Sequence, residues 1–250
     1  MQKTLLVIPH YNDSERFRPF LKELLETLPC RFTILVSDDG SEVNDQKQLK
    51  TLIQEFKSQN ISFQCELSEP IFTFTNTGKG GAVYRGWDKA EGCSCLVFAD
   101  ADGAVSAGEI LRAESYFRSQ ECTADALFAS RVKMLGRSIE RSLLRHLSGR
   151  VFATLVSEIG EVPAYDTQCG LKILRTESYK KIRPYLQSTG FAFDVELLLV
   201  LKKFACQVIE FPVDWHDVPG SKVSLIRDAV RMATEVLKIK KRVQSLSLHT

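Results

Sequence analysis

Short apolar runs alternate with longer segments of helical spacing through the first half of the chain. Residues 4–8, 32–36, 61–65 and 96–99 have the length and composition of strands, whereas 16–28, 49–56, 81–90 and 107–117 carry the spacing of helices. This alternation predicts an α/β fold: a mainly parallel central sheet covered by helices on both faces, with right-handed connections. In the second half, apolar residues at 143, 144, 147, 151, 152, 155, 156 and 159 make one stripe along a predicted amphipathic helix over 141–159. A loop over 163–170 then leads to a predicted strand at 172–174, helices at 177–185 and 194–204, a strand at 207–211 and a last helix over 225–243. No linker composition interrupts the pattern, so residues 1–250 read as one compact domain.

In open sheets of this class, ligands bind beyond the carboxyl ends of the strands. Three predicted strands end there in polar loops: Pro9-His10-Tyr11-Asn12-Asp13, Asp38-Asp39-Gly40-Ser41 and Asp100-Ala101-Asp102-Gly103. Their convergence on one edge says more than any single motif. Asp100 and Asp102 flank a small residue directly after a buried strand. Hard divalent cations take oxygen ligands, so the pair suits Mg²⁺ or Mn²⁺ held against a diphosphate; Asp and Gly also favour plain turns. Asp38 and Asp39 can accept from a ribose hydroxyl or a base N–H, and Asp39 and Ser41 can equally cap the next helix. Gly78-Lys79-Gly80-Gly81 lacks the Walker spacing and has Gly80 where Ser or Thr must bind magnesium, and no Gly-x-Gly-x-x-Gly fingerprint is present. What remains is a glycine-rich loop presenting Lys79 at a predicted helix start, an arrangement that suits an anion.

Composition narrows the classes further. Hydrophobic residues make up 44% and charged residues 26%, as in an ordinary globular protein. The net charge of +2 gives no polyanion signature, so no nucleic-acid partner is expected. Seven cysteines are an odd number for a disulfide framework, and Cys93 and Cys95 lack the spacer of a zinc knuckle. They read as reduced thiols in a reducing, cytoplasmic compartment. No apolar run approaches the roughly 18 residues of a spanning helix; membrane contact is expected from the side, on the cytoplasmic face. His10, His146 and His249 read as surface or packing histidines, and Trp87 as core.

The motifs resemble, jointly and in order, family 2 glycosyltransferases with the GT-A (Rossmann-like) fold. The nearest branches are the dolichyl-phosphate β-glucosyltransferases and the dolichyl- or polyprenyl-phosphate mannose synthases. The resemblance runs from Val7-Ile-Pro-His-Tyr-Asn-Asp13 through Asp38-Asp-Gly-Ser41, Gly78-Lys-Gly-Gly-Ala82 and Phe98-Ala-Asp-Ala-Asp-Gly103. It continues through Ser130-Arg131, Asp166-Thr-Gln-Cys-Gly-Leu-Lys172, Phe193-Asp-Val-Glu-Leu197 and Pro212-Val-Asp-Trp-His-Asp-Val-Pro-Gly-Ser-Lys222. It implies a nucleotide-binding half over 1–105 and an acceptor-binding half over 106–250. Pro9, Tyr11, Asp13, Asp38 and Asp39 would surround the nucleotide, with Lys79 near it. Asp100, Ala101 and Asp102 would meet the diphosphate, the two aspartates holding Mg²⁺ or Mn²⁺. Arg131 would approach the reacting phosphate, Asp166 and Gln168 would line the sugar pocket, and His216 and Lys222 would lie on a segment that contacts phosphate. Two departures stand out: Asp13 replaces the commoner Glu, and Ala104 stands where mannose synthases often place a metal-binding Gln.

The resemblance also implies the reaction, an inverting transfer of glucose from UDP-glucose to dolichyl or polyprenyl phosphate. A phosphate acceptor is already anionic near neutral pH and needs no general base, so the task is to bring two anions together. Arginines suit it, because they are permanently charged and grip phosphate through two N–H groups. Arg137, Arg141 and Arg145 recur every four residues on one predicted helix face, after Arg131. The basic amphipathic segment 225–243 is a candidate for peripheral membrane contact. GDP-mannose as donor, a soluble acceptor, or a nucleotide-sugar-binding protein without activity remain the alternatives.

Overall fold

The computed structural model describes residues 2–58, 63–132, 139–140, 166–218 and 225–246, and side chains within these except at 139–140 and 225–233. The predicted helix over 141–159, with Arg141 and Arg145, and the positions Arg137, His146, Lys222 and His249 lie outside the described residues.

The chain runs β1 (Lys3–His10), α1 (Ser14–Thr27), β2 (Phe32–Asp38), α2 (Val43–Ser58), β3 (Glu66–Leu67), α3 (Lys79–Trp87), β4 (Cys93–Ala99), α4 (Ala107–Phe117) and β5 (Ala126–Ser130). There follow β6 (Ile139–Glu140), β7 (Leu171–Arg175), α5 (Thr176–Ile182), α6 (Phe193–Lys203), β8 (Val208–Pro212), β9 (Trp215–His216) and α7 (Leu225–Ser245). Seven strands form one sheet in the order β3-β2-β1-β4-β7-β5-β8, and β6 pairs with β9 in a second, two-stranded sheet. The main sheet is parallel except for β7, which runs antiparallel between β4 and β5. The expected mainly parallel sheet is therefore present, with one reversed strand whose direction hydrophobic periodicity does not encode.

Alternation along the buried strands divides the core in two. Leu6 and Ile8 of β1 face a layer built from Phe17, Leu21 and Leu24 of α1 together with residues of α2 and α4. Leu5 and Val7 face Val83, Tyr84 and Trp87 of α3 and the buried residues of α5, α6 and α7. Trp87 is core, as expected, and its indole N–H donates to Val97 O at 3.1 Å.

Two boundaries differ from the sequence expectation. Of the strand expected over 61–65, positions 61 and 62 lie outside the described residues, and the pairing is found at Glu66–Leu67, against Thr33 and Ile34. Cys65 packs beneath α1, its thiol next to Leu24 O and Leu25 O, so its apolar character marks burial rather than strand pairing. The helix expected over 177–185 ends at Ile182 and tightens to a 3₁₀ turn over Arg183–Tyr185, because Pro184 has no N–H to continue the ladder.

Candidate active site

The carboxyl ends of β1, β2 and β4 lie side by side, since His10 pairs with Asp38 and Val7 with Phe98. Beyond β2, Asp38 is fully buried and accepts from the Ser41 amide at 3.1 Å, from Gln46 Nε2 at 2.9 Å and from the Ser41 hydroxyl, with His10 Nδ1 at 3.1 Å. Burial alone would raise this carboxyl, but the His10, Ser41 and Gln46 hydrogen bonds hold it below the ordinary aspartate value. His10 is thus a packing histidine, enclosed between Asp38 and Ser14. Asp39 does not reach toward α2. It accepts from the Thr77 amide (3.1 Å), the Thr77 hydroxyl (2.7 Å), the Gly78 amide (2.6 Å) and Arg85 (2.9 Å), and so fastens the turn that opens α3. Gly78 adopts φ +100°, a conformation open to glycine, and Lys79 follows as the first residue of α3.

The acidic pair after β4 is partly exposed, the Asp100 side chain at 33% and Asp102 at 31%. Lys79 Nζ lies 2.6 Å from Asp100 Oδ1, and an Arg16 nitrogen lies 3.6 Å from Asp102 Oδ2. Arg16 also lies 3.4 Å from Asp13, and Tyr11, two residues before Asp13, is exposed. Burial and the adjacent Asp100 push the Asp102 carboxyl upward. Burial opposes charge on Lys79, yet Asp100, Asp194 and Asp102 together raise its ammonium above the ordinary lysine value. The two part-exposed carboxylates offer oxygen ligands of the kind a hard divalent ion takes, and as the side chains stand Lys79 and Arg16 offset their charge.

The reversed strand supplies the floor of this site. Gly170, just before β7, accepts from the Asp100 amide at 2.9 Å and packs so closely that a Cβ there would lie 2.3 Å from Asp100 Oδ2. Within β7, Lys172 pairs with Phe98, and its buried ammonium bonds Cys169 O at 2.6 Å and meets Asp194 at 2.8 Å. The ammoniums of Lys79 and Lys172 lie 5.1 and 5.4 Å from the centre of the Phe98 ring.

At the end of β5, Arg131 grips Asp166 through two parallel bonds, Nε to Oδ2 at 2.6 Å and Nη2 to Oδ1 at 2.7 Å, while its amide donates to Oδ2 at 3.0 Å. Burial raises and Arg131 more than offsets it, leaving the Asp166 carboxyl below its ordinary value. Trp215 stacks near Arg131, and the His216 amide donates to Ala104 O at 3.0 Å, tying β9 to the loop that carries Asp102. Three enclosed polar atoms beside the Arg131–Asp166 pair have no hydrogen-bond partner among the described residues: Ser130 Oγ, Thr167 Oγ1 and Gln168 Nε2.

The structure therefore brings Asp100, Asp102, Lys79 and Asp13 into one charged cluster, and Arg131 with Asp166 into a second. Pro9 lies within β1, and Asp38 and Asp39 serve the walls. Arg16, Lys172 and Asp194 were not singled out from the sequence. Arg16 carries a weak signal, its i,i+3 spacing from Asp13 at a helix start. Lys172 is a charged residue inside a predicted strand, which marks either an error of assignment or a buried partner.

A mainly parallel seven-stranded sheet with one reversed strand thus carries a pair of part-exposed carboxylates beyond the end of β4, the ligand-binding edge of an open α/β sheet. Residues 5–183 match the model of the glycosyl transferase family 2, and the chain belongs to that family. It is 35% identical to the dolichyl-phosphate beta-glucosyltransferase of Saccharomyces cerevisiae, over 94% of this chain and 73% of that protein. It is 28% identical to the human dolichyl-phosphate beta-glucosyltransferase, over 95% of this chain and 74% of that one. Among solved structures it is similar to glucosyl-3-phosphoglycerate synthase from Mycobacterium tuberculosis, in complex with Mn²⁺, UDP and phosphoglyceric acid (TM-score 0.64, 12% identity, 99% of this chain and 80% of that one). It is also similar to S. aureus TarS 1–349 (TM-score 0.57, 17% identity, 98% and 73% covered). The fold is GT-A, and the protein is a glycosyltransferase.

Proposed function

We propose that this enzyme transfers glucose from UDP-glucose to dolichyl phosphate or a related polyprenyl phosphate, with inversion at the anomeric carbon. The observation that carries the reading is the part-exposed Asp100–Asp102 pair, countered by Lys79 and Arg16 at the carboxyl edge of the sheet. The names of the relatives supply the sugar and the acceptor.

Asp100 and Asp102 would hold Mg²⁺ or Mn²⁺. When bound, such an ion neutralises the charge that develops on the departing nucleotide diphosphate. Lys79 adds a second positive charge to the same group, and Arg16 keeps Asp102 and Asp13 oriented. Ser130, Thr167 and Gln168 offer enclosed polar atoms that sugar hydroxyls would satisfy. Asp166 holds the Arg131 guanidinium in one orientation, from which it can meet an anionic phosphate. His216, held to the Ala104 carbonyl through its amide, belongs with the loop that follows the metal pair, and Tyr11, Asp38 and Asp39 border the nucleoside side. A phosphate oxygen of the lipid attacks C1 of glucose, the bond from C1 to the β-phosphate oxygen breaks, and UDP leaves with that electron pair. No proton moves from the nucleophile, so no base is required. Arg137, Arg141, Arg145 and Lys222 are proposed as further phosphate contacts on grounds of sequence spacing and resemblance.

Incubation with labelled UDP-glucose, a short polyprenyl phosphate and Mn²⁺ is expected to move label into the organic phase, as a β-linked product by NMR coupling. Asp102→Asn is expected to lower the rate by about a hundredfold or more, several kcal/mol of lost charge stabilisation. Label that stays water-soluble with every acceptor lipid would reject the lipid acceptor.

A further inference from the structure

The Phe193-Asp-Val-Glu-Leu197 motif carries two buried carboxylates at the start of α6, and they do different work. Asp194 pairs with Lys172 under the site. Glu196, fully enclosed, accepts from the Gln187 amide at 2.9 and 3.0 Å and from the Ser188 amide at 2.8 Å, and it contacts the guanidinium of Arg242. Arg242 also donates to Gln187 Oε1 at 3.0 Å. It lies near the end of α7, which is seated in the core by Val236, Ile239 and Val243. The next residue along the clamped segment is Thr189. Its carbonyl accepts from the Gly81 amide at 3.1 Å, and a Cβ on Gly78 would lie 2.5 Å from the same oxygen. Lys79 sits between these two glycines, so the turn that presents it is pressed by Thr189 on one side and tied by Asp39 on the other.

We propose that Glu196 and Arg242 are positioning residues for Lys79, so that the C-terminal helix sets where this ammonium meets the donor diphosphate. The proposal rests on the donor-site reading of Lys79 given above. Its physical basis is the cost of an uncompensated buried charge. Without Arg242, the Glu196 carboxylate is left with two amides and no cation, and either it or the 187–188 backbone must move. Thr189 moves with that segment and releases the Gly78–Gly81 turn.

The test uses the full chain with Arg242→Ala, Glu196→Gln and the conservative Arg242→Lys. By hydrogen–deuterium exchange, amides 78–82 are expected to exchange about tenfold faster in the first two variants, with β1 and β4 unchanged and Arg242→Lys intermediate. Affinity for UDP with Mn²⁺ is expected to fall several-fold in Arg242→Ala. The double variant with Lys79→Ala should bind no more weakly than Lys79→Ala alone. Unchanged exchange over 78–82, a rise spread evenly over the whole chain, or losses that multiply in the double variant would overturn the proposal. A wild-type protein that ignores UDP would instead defeat the donor reading, and the exchange result would still decide the coupling.

Discussion

At the scale of single residues, the site is a matter of which atoms are allowed near Asp100. Gly170 is the case in point. A methyl group there would stand 2.3 Å from Asp100 Oδ2, backed by the β4–β7 pairing, so the carboxylate rather than the backbone would give way. Gly170→Ala is expected to weaken Mn²⁺ binding in the presence of UDP by about ten- to a hundredfold, the range typical of displaced ligand supports. Calorimetric titration checks this, with the melting transition retained as evidence of folding. The three edge loops were legible because their aspartates cluster directly after apolar strands, although Asp38 and Asp39 turn out to hold neighbouring backbone and side chains rather than stand open. Gly170 was not, because a glycine's close approach depends on a neighbour about 70 positions away. Arg131 and Asp166 were each legible, but their bidentate union was not, since spacing in sequence says nothing about contact across 35 residues.

At the scale of elements, helix α3 brings Lys79 to the edge because its glycines let it lie directly on the sheet. Gly86 is pressed against Val7, where a Cβ would fall 2.4 Å from Cγ1. Gly80 meets Phe193 at the start of α6 in the same manner, at 2.4 Å from Cβ. Gly86→Ala is expected to destabilise the fold by about 1–3 kcal/mol, as overpacking does in a filled core. Urea unfolding measures it, and the variant combined with Val7→Ala should lose less than the sum of the two single losses. Strands β1, β2 and β4 and helices α1, α4 and α6 were readable from period alone. Pairing partners and direction were not: an apolar run of five residues fits either orientation, and β3 shows that burial and pairing can fall on adjacent residues.

At the scale of the molecule, the main sheet draws β1–β4 from the first part of the chain and β5, β7 and β8 from the second, so the Asp100–Asp102 cluster and the Arg131–Asp166 pair share one frame. No helix among the described residues is long and apolar enough to cross a membrane. If the charged edge binds nucleotide as proposed, the whole frame should be stabilised by mass action. UDP with Mn²⁺ at about 100 times Kd should add roughly 2.7 kcal/mol, on the order of 5–10 °C in Tm for a chain of this length. Thermal shift over a nucleotide series measures it, and a shift with GDP exceeding that with UDP would reverse the choice of base. The reversed strand has one more consequence, in time rather than space. While the chain is being synthesised, Asp100 and Asp102 emerge well before residues 171–175, and until those arrive β4 has an open, apolar edge. A nascent chain stalled in that interval would hold the acidic pair but not its floor, and it would present a sticky strand to its neighbours. The proposed donor site is therefore completed late in synthesis, in the same event that closes the edge.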